Sequence, residues 1–359
     1  MGKVLVAGAT GLVGEAAVAA FAEAGWPVVA VSRRTPDPLP DGVRHIAVDL
    51  TDAQACRAAF AALSDVTHVV YAALYEKPGL IAGWREADQM ETNLSMLRNL
   101  MEPLAAAARL QHVTLLQGTK AYGAHLKQPP IPARERAPRD DHANFYWLQE
   151  DYLKAQARER GFAWTIYRPQ IIVGAAWGAA MNPLLAIGAW AALRRAQGLA
   201  NLPYPGGAPH VMELVDPRLL GEAFVWAAGS PAAANETFNI TNGDVYAWPE
   251  VWPAIADALG MQAGPDKPTR LAPLLAESAE AWADVVEKHG LRPIPLPALL
   301  GESHHYADAL LRPGVDAIAL PILVSTVKLR QAGFAPCYDS EDTLRHWLRV
   351  MVERRLLPA

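Results

Sequence analysis

Through the first 170 residues, short apolar runs alternate with stretches in which apolar positions recur at helical spacing. The runs "KVLVA" (3–7), "PVVAV" (27–31), "VRHIAV" (43–48), "THVVYA" (67–72), "HVTLLQ" (112–117) and "AWTIY" (163–167) are five or six residues long, and most are apolar on both faces. Strands covered by helices on two sides read this way. Their alternation with helical segments predicts an α/β fold, a Rossmann-like doubly wound parallel sheet. Further along the pattern changes. Segments 175–210 and 245–330 read as helical or irregular with many prolines, whereas "DPRLLGEAFVWAAG" (216–229) and "ETFNIT" (236–241) read as a helix and a strand returning to the sheet. The expected division is a nucleotide-binding domain over 1–174, to which 211–242 return. A discontinuous, mostly helical substrate lobe is expected from 175–210 and 243–359.

One apolar stretch interrupts this picture: residues 169–193 carry no charge, which is long enough to suggest a membrane span. Gly174, Gly178 and Asn182-Pro183 divide it, so it reads instead as a strand end, a loop and a short apolar helix. The N-terminus enters a strand at once and offers no parsable signal peptide. A cytoplasmic, non-membrane protein is expected. Composition fits an ordinary globular chain, with 52% hydrophobic and 19% charged residues among 359. A net charge of −5 without a basic run argues against nucleic acid as partner, because phosphate backbones need clustered Lys and Arg. A small molecule is the better ligand. Cys56 and Cys337 lie far apart and form no metal-ligand spacing. His304 and His305 are expected to point apart with no third ligand nearby, so no metal is expected.

"GATGLVG" follows the first strand and opens a helix, with Gly8, Gly11 and Gly14 in G-x-x-G-x-x-G spacing. Such a turn lets a pyrophosphate approach the backbone and meet the free N–H groups of the helix N-terminus. Strand, turn and helix in that order favour a dinucleotide over a merely structural turn. The second strand ends in "VSRR", where an NAD site would place an acid for the ribose 2′-hydroxyl. Ser32, Arg33 and Arg34 instead offer donors and positive charge to a 2′-phosphate, which favours NADPH over two merely solvated arginines. Asp49 and Leu50, after the third strand, are expected against the adenine. Ala72 and Ala73 end the fourth strand at the crevice where ligands of such sheets bind.

The fifth strand runs into "LLQGTKAYG", and a helix begins at "NFYWLQED". Short-chain reductases ordinarily carry Tyr and Lys four apart on this helix. Here Glu150 occupies the lysine's place after Tyr146, and Lys120 lies in the preceding turn. Taken singly, Tyr146 is equally a half-buried aromatic and Lys120 equally a loop cation. Together at the mouth of a nucleotide crevice they can restore a Tyr/Lys pair, with the lysine's charge favouring ionisation of the tyrosine. Gln117 and Gly118, leading into the turn, are expected to touch the cofactor.

These blocks, with "YRPQIIVG", "AAMN", "NETFNITNGDVYAWPEVWPAIADALG" and the tail from "STVKLRQAGFAPCYDSEDTLRHW", resemble almost end to end the progesterone 5β-reductase/iridoid synthase-like family. These are atypical extended short-chain dehydrogenases/reductases that saturate activated C=C bonds. The resemblance implies Tyr146 and Lys120 as the catalytic pair and NADPH as cofactor. It also implies cofactor contacts from Thr10, Gly11, Leu12 and Val13, from Arg33, Asp49 and Leu50, and from Pro169, Ile171 and Ile172. Trp147 stands where members often have a second tyrosine, and Leu74 where many plant members have tryptophan. Ala121, Gly123 and Leu126 replace bulkier pocket residues, so the chain reads as a bacterial-type member with a pocket of its own. That pocket is expected from Leu74, Tyr122, Met181 and the 175–193 segment, with "ESHHYADALL" (302–311), including Tyr306, folding over it as a lid. The expected reaction is conjugate reduction of a small hydrophobic enone or enal. Carbonyl reduction, sugar-nucleotide epimerisation and a non-catalytic NADP(H) sensor are the alternatives, and a homodimer is one assembly open to the chain.

Overall fold

The computed structural model describes residues 2–80 and 83–359. Seven parallel strands form the central sheet: β1 (Val4–Ala7), β2 (Val28–Ser32), β3 (Arg44–Ala47), β4 (His68–Tyr71), β5 (His112–Leu116), β6 (Ala163–Pro169) and β7 (Glu236–Ile240), in the order β7-β6-β5-β4-β1-β2-β3. All six apolar runs and the returning segment are strands of this sheet. The order reverses between β1 and β4, which opens a crevice at the carboxyl ends of these two strands.

The period-two alternation of β1 explains the two layers of helices. Leu5 and Ala7 face one side, where they pack with Phe60 of α2 (Ala53–Phe60) and with Leu97, Leu100 and Leu104 of α3 (Ala87–Ala107). Val4 and Val6 face the other side, against Val18 and Phe21 of α1 (Leu12–Glu23) and Leu219, Leu220 and Phe224 of a helix at Pro217–Gly229. Each such Val, Leu or Phe side chain, fully buried, contributes about 1.5–3 kcal/mol through removal of apolar surface from water.

A separate apolar core gathers the later helices around Pro183–Ala196, whose residues from Pro183 to Leu193 are all buried, with Trp248, Trp252, Trp282, Leu299 and Leu348. Asn182 caps that helix by accepting from Leu184 N at 3.3 Å, and Pro183 supplies its first residue. The charge-free stretch is therefore a strand end followed by a core helix. Among the described residues, no helix is long and apolar enough to cross a membrane. Residues 327–334 leave the second core, with Leu329 and Phe334 packing beside Phe238 on the sheet, before the chain returns to it at Leu344 and Leu348.

A two-stranded parallel ladder joins Ile171–Ile172 to Leu214–Val215, and beside it Glu213 is buried with its Oε2 accepting from Val324 N at 2.8 Å. Burial pushes the Glu213 carboxyl up to about 7, against the hydrogen bonds that oppose the shift. A carboxyl raised in the folded state keeps a proton that the unfolded chain has released, so its contribution to stability falls as pH rises from the ordinary carboxylate range through about 7. Glutamine keeps an acceptor oxygen without the charge. Glu213→Gln is therefore expected to melt near the wild-type temperature at about pH 5 and a few degrees above it at about pH 8, a gain of up to about 3 kcal/mol. Equal melting curves at both pH values would exclude the buried charge as a cost.

Candidate active site

The glycine turn is held by backbone contacts. Gly11 N donates to Gly8 O at 2.9 Å, and Gly11 ends the turn as the N-cap of α1 with no side-chain cap. Gly8 sits at φ 83° with its α-carbon pressed on the backbone of Ala72 and Ala73: a Cβ there would meet Ala72 O at 2.7 Å. The turn from Gly8 through Thr10 to Gly14 is thereby joined to the end of β4, as the crevice requires. A backbone cradle that side chains would fill, with the first N–H groups of a helix beside it, fits a dinucleotide pyrophosphate.

At the end of β2, Ser32 Oγ donates to Arg34 O at 2.6 Å and lies 3.1 Å from His45 Nε2. The Arg34 guanidinium stacks on Trp177, 3.6 Å from the ring centroid. Ser32 and Arg34 are thus engaged within the protein; both arginines are exposed while Ser32 is buried. Asp49 Oδ1 accepts from Thr51 N and Oγ1 at 2.9 and 2.8 Å, and the backbone bond from Thr51 leads in holding its carboxyl below the usual range. Leu50 is buried next to it.

The candidate catalytic end is built from two elements tied together by one side chain. Lys120 lies in a single turn of 3₁₀ helix, Thr119–Tyr122, and Tyr146 opens α4 (Phe145–Arg160). Asn144 caps α4 by accepting from Tyr146 N at 3.0 Å, while its Nδ2 donates to Lys120 O at 3.1 Å. The cap therefore fixes the tyrosine's backbone to the lysine's. The Tyr146 ring packs in a small cluster with Met90, Ala121 and Phe145. Its hydroxyl reaches the close of β5, where a Cβ on Gly118 would lie 3.2 Å from it and 3.6 Å from Pro169 O. Gly118, Pro169 and Tyr146 thus converge at the strand ends.

Glu150, in the place of the usual lysine, is a buried ion hub. It accepts from Gln117 Nε2 at 2.8 Å and Lys154 Nζ at 2.6 Å, and faces Arg139 at 3.0 Å and Arg168 at 3.6 Å. Burial works against its ionisation, but the bonds from Lys154, Gln117 and Arg139 outweigh it and its carboxyl lies below the usual range. Arg168, buried, also donates from Nε to Gln117 Oε1 at 2.8 Å.

Lys120 Nζ faces Glu76 Oε1 at 3.8 Å, the Trp84 ring centroid at 3.5 Å and Met181 Sδ at 3.7 Å. Burial pushes its ammonium down to about 8, with Glu76 opposing the fall. The Tyr146 hydroxyl is pushed up, first by burial and then by Glu76 and Tyr306, with Arg168 working the other way. The expected lowering by Lys120 is not what these surroundings produce. Tyr146 is held protonated, as a hydrogen-bond donor.

Of the expected pocket residues, Met181 meets Lys120 and Leu74 is exposed. Tyr306 is carried by a helix, Ser303–Leu311, and shares the surroundings of Tyr146. Tyr122 lies elsewhere: its hydroxyl donates to Asn239 Oδ1 at 2.6 Å, and its ring packs with Ala133 and Val324. Residues 183–193 belong to the second core rather than to a pocket wall. The 302–311 segment is anchored, since Ala307 and Leu311 enter that core and Asp308 accepts from Leu271 N and Ala272 N at 2.7 and 3.1 Å. Glu302 nonetheless accepts from Gly79 N at 3.1 Å, joining this helix to the loop after β4. The rings of His304 and His305 lie beside each other, centroids 4.3 Å apart and planes tilted by 37°, rather than diverging. Two cavities, of 370 and 310 Å³, open beside Tyr246 and along α1, and neither is lined by Tyr146 or Lys120.

The fold and the glycine turn define a dinucleotide-binding oxidoreductase of the extended short-chain dehydrogenase/reductase type. Residues 4–241 match the NAD dependent epimerase/dehydratase family, and the chain belongs to it. Within that family it is similar to the (S)-8-oxocitronellyl enol synthase of Nepeta racemosa, 31% identical over 80% of this chain and 77% of that one. A second relative, the 3-oxo-Δ(4,5)-steroid 5-β-reductase of Arabidopsis thaliana, is 28% identical over 99% and 92%. The likeness to iridoid synthases and steroid 5β-reductases seen in the sequence motifs is thus carried by relatives that match over most of the chain. Among solved structures, the UDP-glucose 4-epimerase of Thermotoga maritima superposes with a TM-score of 0.68 at 18% identity over 99% of both chains. That of Thermus thermophilus, in complex with NAD, gives 0.65 at 21% over 99% of both. These share the fold, and the family is NAD(P)-dependent.

Glu76, Trp84 and Arg168 were not singled out by the sequence reading. The available signal was weak: an acid just beyond the apolar end of β4, and an arginine closing an otherwise apolar β6.

Proposed function

We propose that the protein reduces the activated C=C bond of small hydrophobic enones or enals by 1,4-addition, using NADPH. The observation that carries this reading is the Tyr146 hydroxyl at the junction of Gly118 and Pro169, with a mostly buried Lys120 supplied from the neighbouring turn. The coenzyme, when bound, supplies a hydride to the β-carbon. Charge then develops on the substrate's carbonyl oxygen, and the α-carbon takes its proton from solvent. Tyr146 donates a hydrogen bond to that oxygen, stabilising charge that is present mainly in the transition state. The Glu150 hub holds Gln117 and Arg168, and with them the strand ends, in register beneath the reacting atoms. The glycine turn holds the pyrophosphate, and exposed Arg33 supports the preference for a 2′-phosphate.

The test is oxidation of NADPH and of NADH with 2-cyclohexen-1-one and with progesterone, products identified by mass and retention. Saturated ketone is expected, formed faster from NADPH, with Arg33→Ala narrowing the difference between coenzymes. Allylic alcohol as the sole product would make the protein a carbonyl reductase. Tight NADPH binding without turnover of any enone would make it a sensor.

A further inference from the structure

Glu76 follows β4 in "ALYEKPG", and its side chain is 7% exposed. One oxygen is satisfied: Oε2 accepts from Trp84 Nε1 at 3.1 Å and from Gln89 Nε2 at 2.8 Å. The other, Oε1, is buried without a hydrogen-bond partner and lies 3.8 Å from Lys120 Nζ. Trp84 touches both groups, since its N–H fixes the acid while its ring face lies 3.5 Å from the ammonium. Lys77, the next residue along, turns outward to pair with Glu86 and Asp88. A purely structural acid would have both oxygens bonded, because a buried acceptor left unpaired is costly. Here the free oxygen is aimed at the lysine.

We propose that Glu76 is a positioning residue for the reductase reaction: together with Trp84 it holds the Lys120 ammonium charged and fixed at the Tyr146 site, and it acts only through that lysine. The proposal rests on the reading of Lys120 and Tyr146 as the working pair. Among the described residues, Glu76 is the acid that lies within 4 Å of Lys120 Nζ. His142 Nε2 meets the lysine's carbonyl at 3.1 Å. His125 lies between Trp84 and His142 in edge-to-face contact with each, and burial pushes it down to about 4, where it is neutral. Tyr146 and Tyr306 are held protonated, first of all by burial, and Arg168 acts on Tyr146. Of the carboxylates farther out, Asp140 pairs with Lys127 at 2.9 Å, and Glu302 accepts from Gly79 N at 3.1 Å. Burial alone drives Lys120 toward the neutral amine, and Glu76 is the opposing charge.

The experiment reads Lys120 directly and needs no substrate. Protein carrying ¹³Cε-lysine is titrated by NMR, the Lys120 signal being assigned by its loss in Lys120→Met. Glu76→Gln, a near-isostere, is expected to lower the Lys120 midpoint by about 1–3 pH units, and Glu76→Asp to restore most of the shift. The alkaline limb of enone reduction should move to lower pH in step, while the melting temperature changes little. An unmoved midpoint overturns the proposal, and so does failure of Glu76→Gln to fold, which would make the role structural. A shifted midpoint in a protein that reduces no enone would instead overturn the reading of function and leave the Glu76–Lys120 couple standing.

Discussion

Replacing Tyr146 by phenylalanine is expected to lower kcat for enone reduction by about 10²–10³-fold while leaving KM and NADPH affinity close to wild type. The magnitude follows from loss of a single preorganised donor to a developing oxyanion, which typically costs roughly 3 kcal/mol. The split between kcat and KM follows because a hydrogen bond that strengthens only as charge develops contributes little to ground-state binding. Phenylalanine keeps the ring and so keeps the packing against Met90, Ala121 and Phe145. The Asn144 cap uses the backbone N–H of residue 146 and is also preserved. Folding should therefore be unaffected, and steady-state kinetics beside a thermal melt separate the two contributions. A variant with wild-type kcat would remove Tyr146 from the chemistry. One with unchanged kcat and a raised KM would make it a substrate-binding contact instead.

The sheet was legible because its evidence is local. The run at β1 reads as apolar on both faces, and both are covered, Val4 and Val6 by one layer of helices and Leu5 and Ala7 by the other. The glycine turn was legible for the same reason, since turn, strand and helix adjoin in sequence. Asn182-Pro183 announced the helix that follows. Lys120 and Tyr146 were legible as candidates, but their electrostatics were not. The sequence placed Lys120 as the charge tuning Tyr146, whereas burial and Glu76 dominate around both groups. Glu76 reaches Lys120 only because β4 and β5 are neighbours in the sheet, and a pairing made by the fold leaves no spacing to read. Tyr122 misled for a similar reason. It is four positions after Gly118, yet a 3₁₀ turn carries it back toward β7, where Asn239 accepts from its hydroxyl. Charge burial in Arg168 and Glu213 likewise depends on partners brought from distant segments.

Gly14→Ala is expected to be the most damaging change of one methyl group in the protein. A Cβ at this position would lie 2.1 Å from Gly8 O and 2.6 Å from Gly8 C, and these are backbone atoms with no rotamer to yield. Gly8 cannot retreat, because it is itself pressed against the backbone of Ala72 and Ala73 at the end of β4. The strain passes instead to α1, which must lift from β1 and carry its N-terminal N–H groups away from the phosphate cradle. Overpacking of this kind ordinarily costs about 1–3 kcal/mol, and more where the neighbours are fixed. NADPH affinity, measured by fluorescence titration, should fall by about 10²-fold or more if, as proposed, the displaced groups are those that meet the pyrophosphate. Gly25→Ala is the matching control. It lies at φ 75° just beyond the same helix with nothing within 4 Å of the added carbon, so it incurs only backbone strain, roughly 1–2 kcal/mol. A stability loss in both variants with NADPH binding lost only in Gly14→Ala would assign the effect to the cradle. Wild-type NADPH binding by Gly14→Ala would mean that the coenzyme does not rest on this turn.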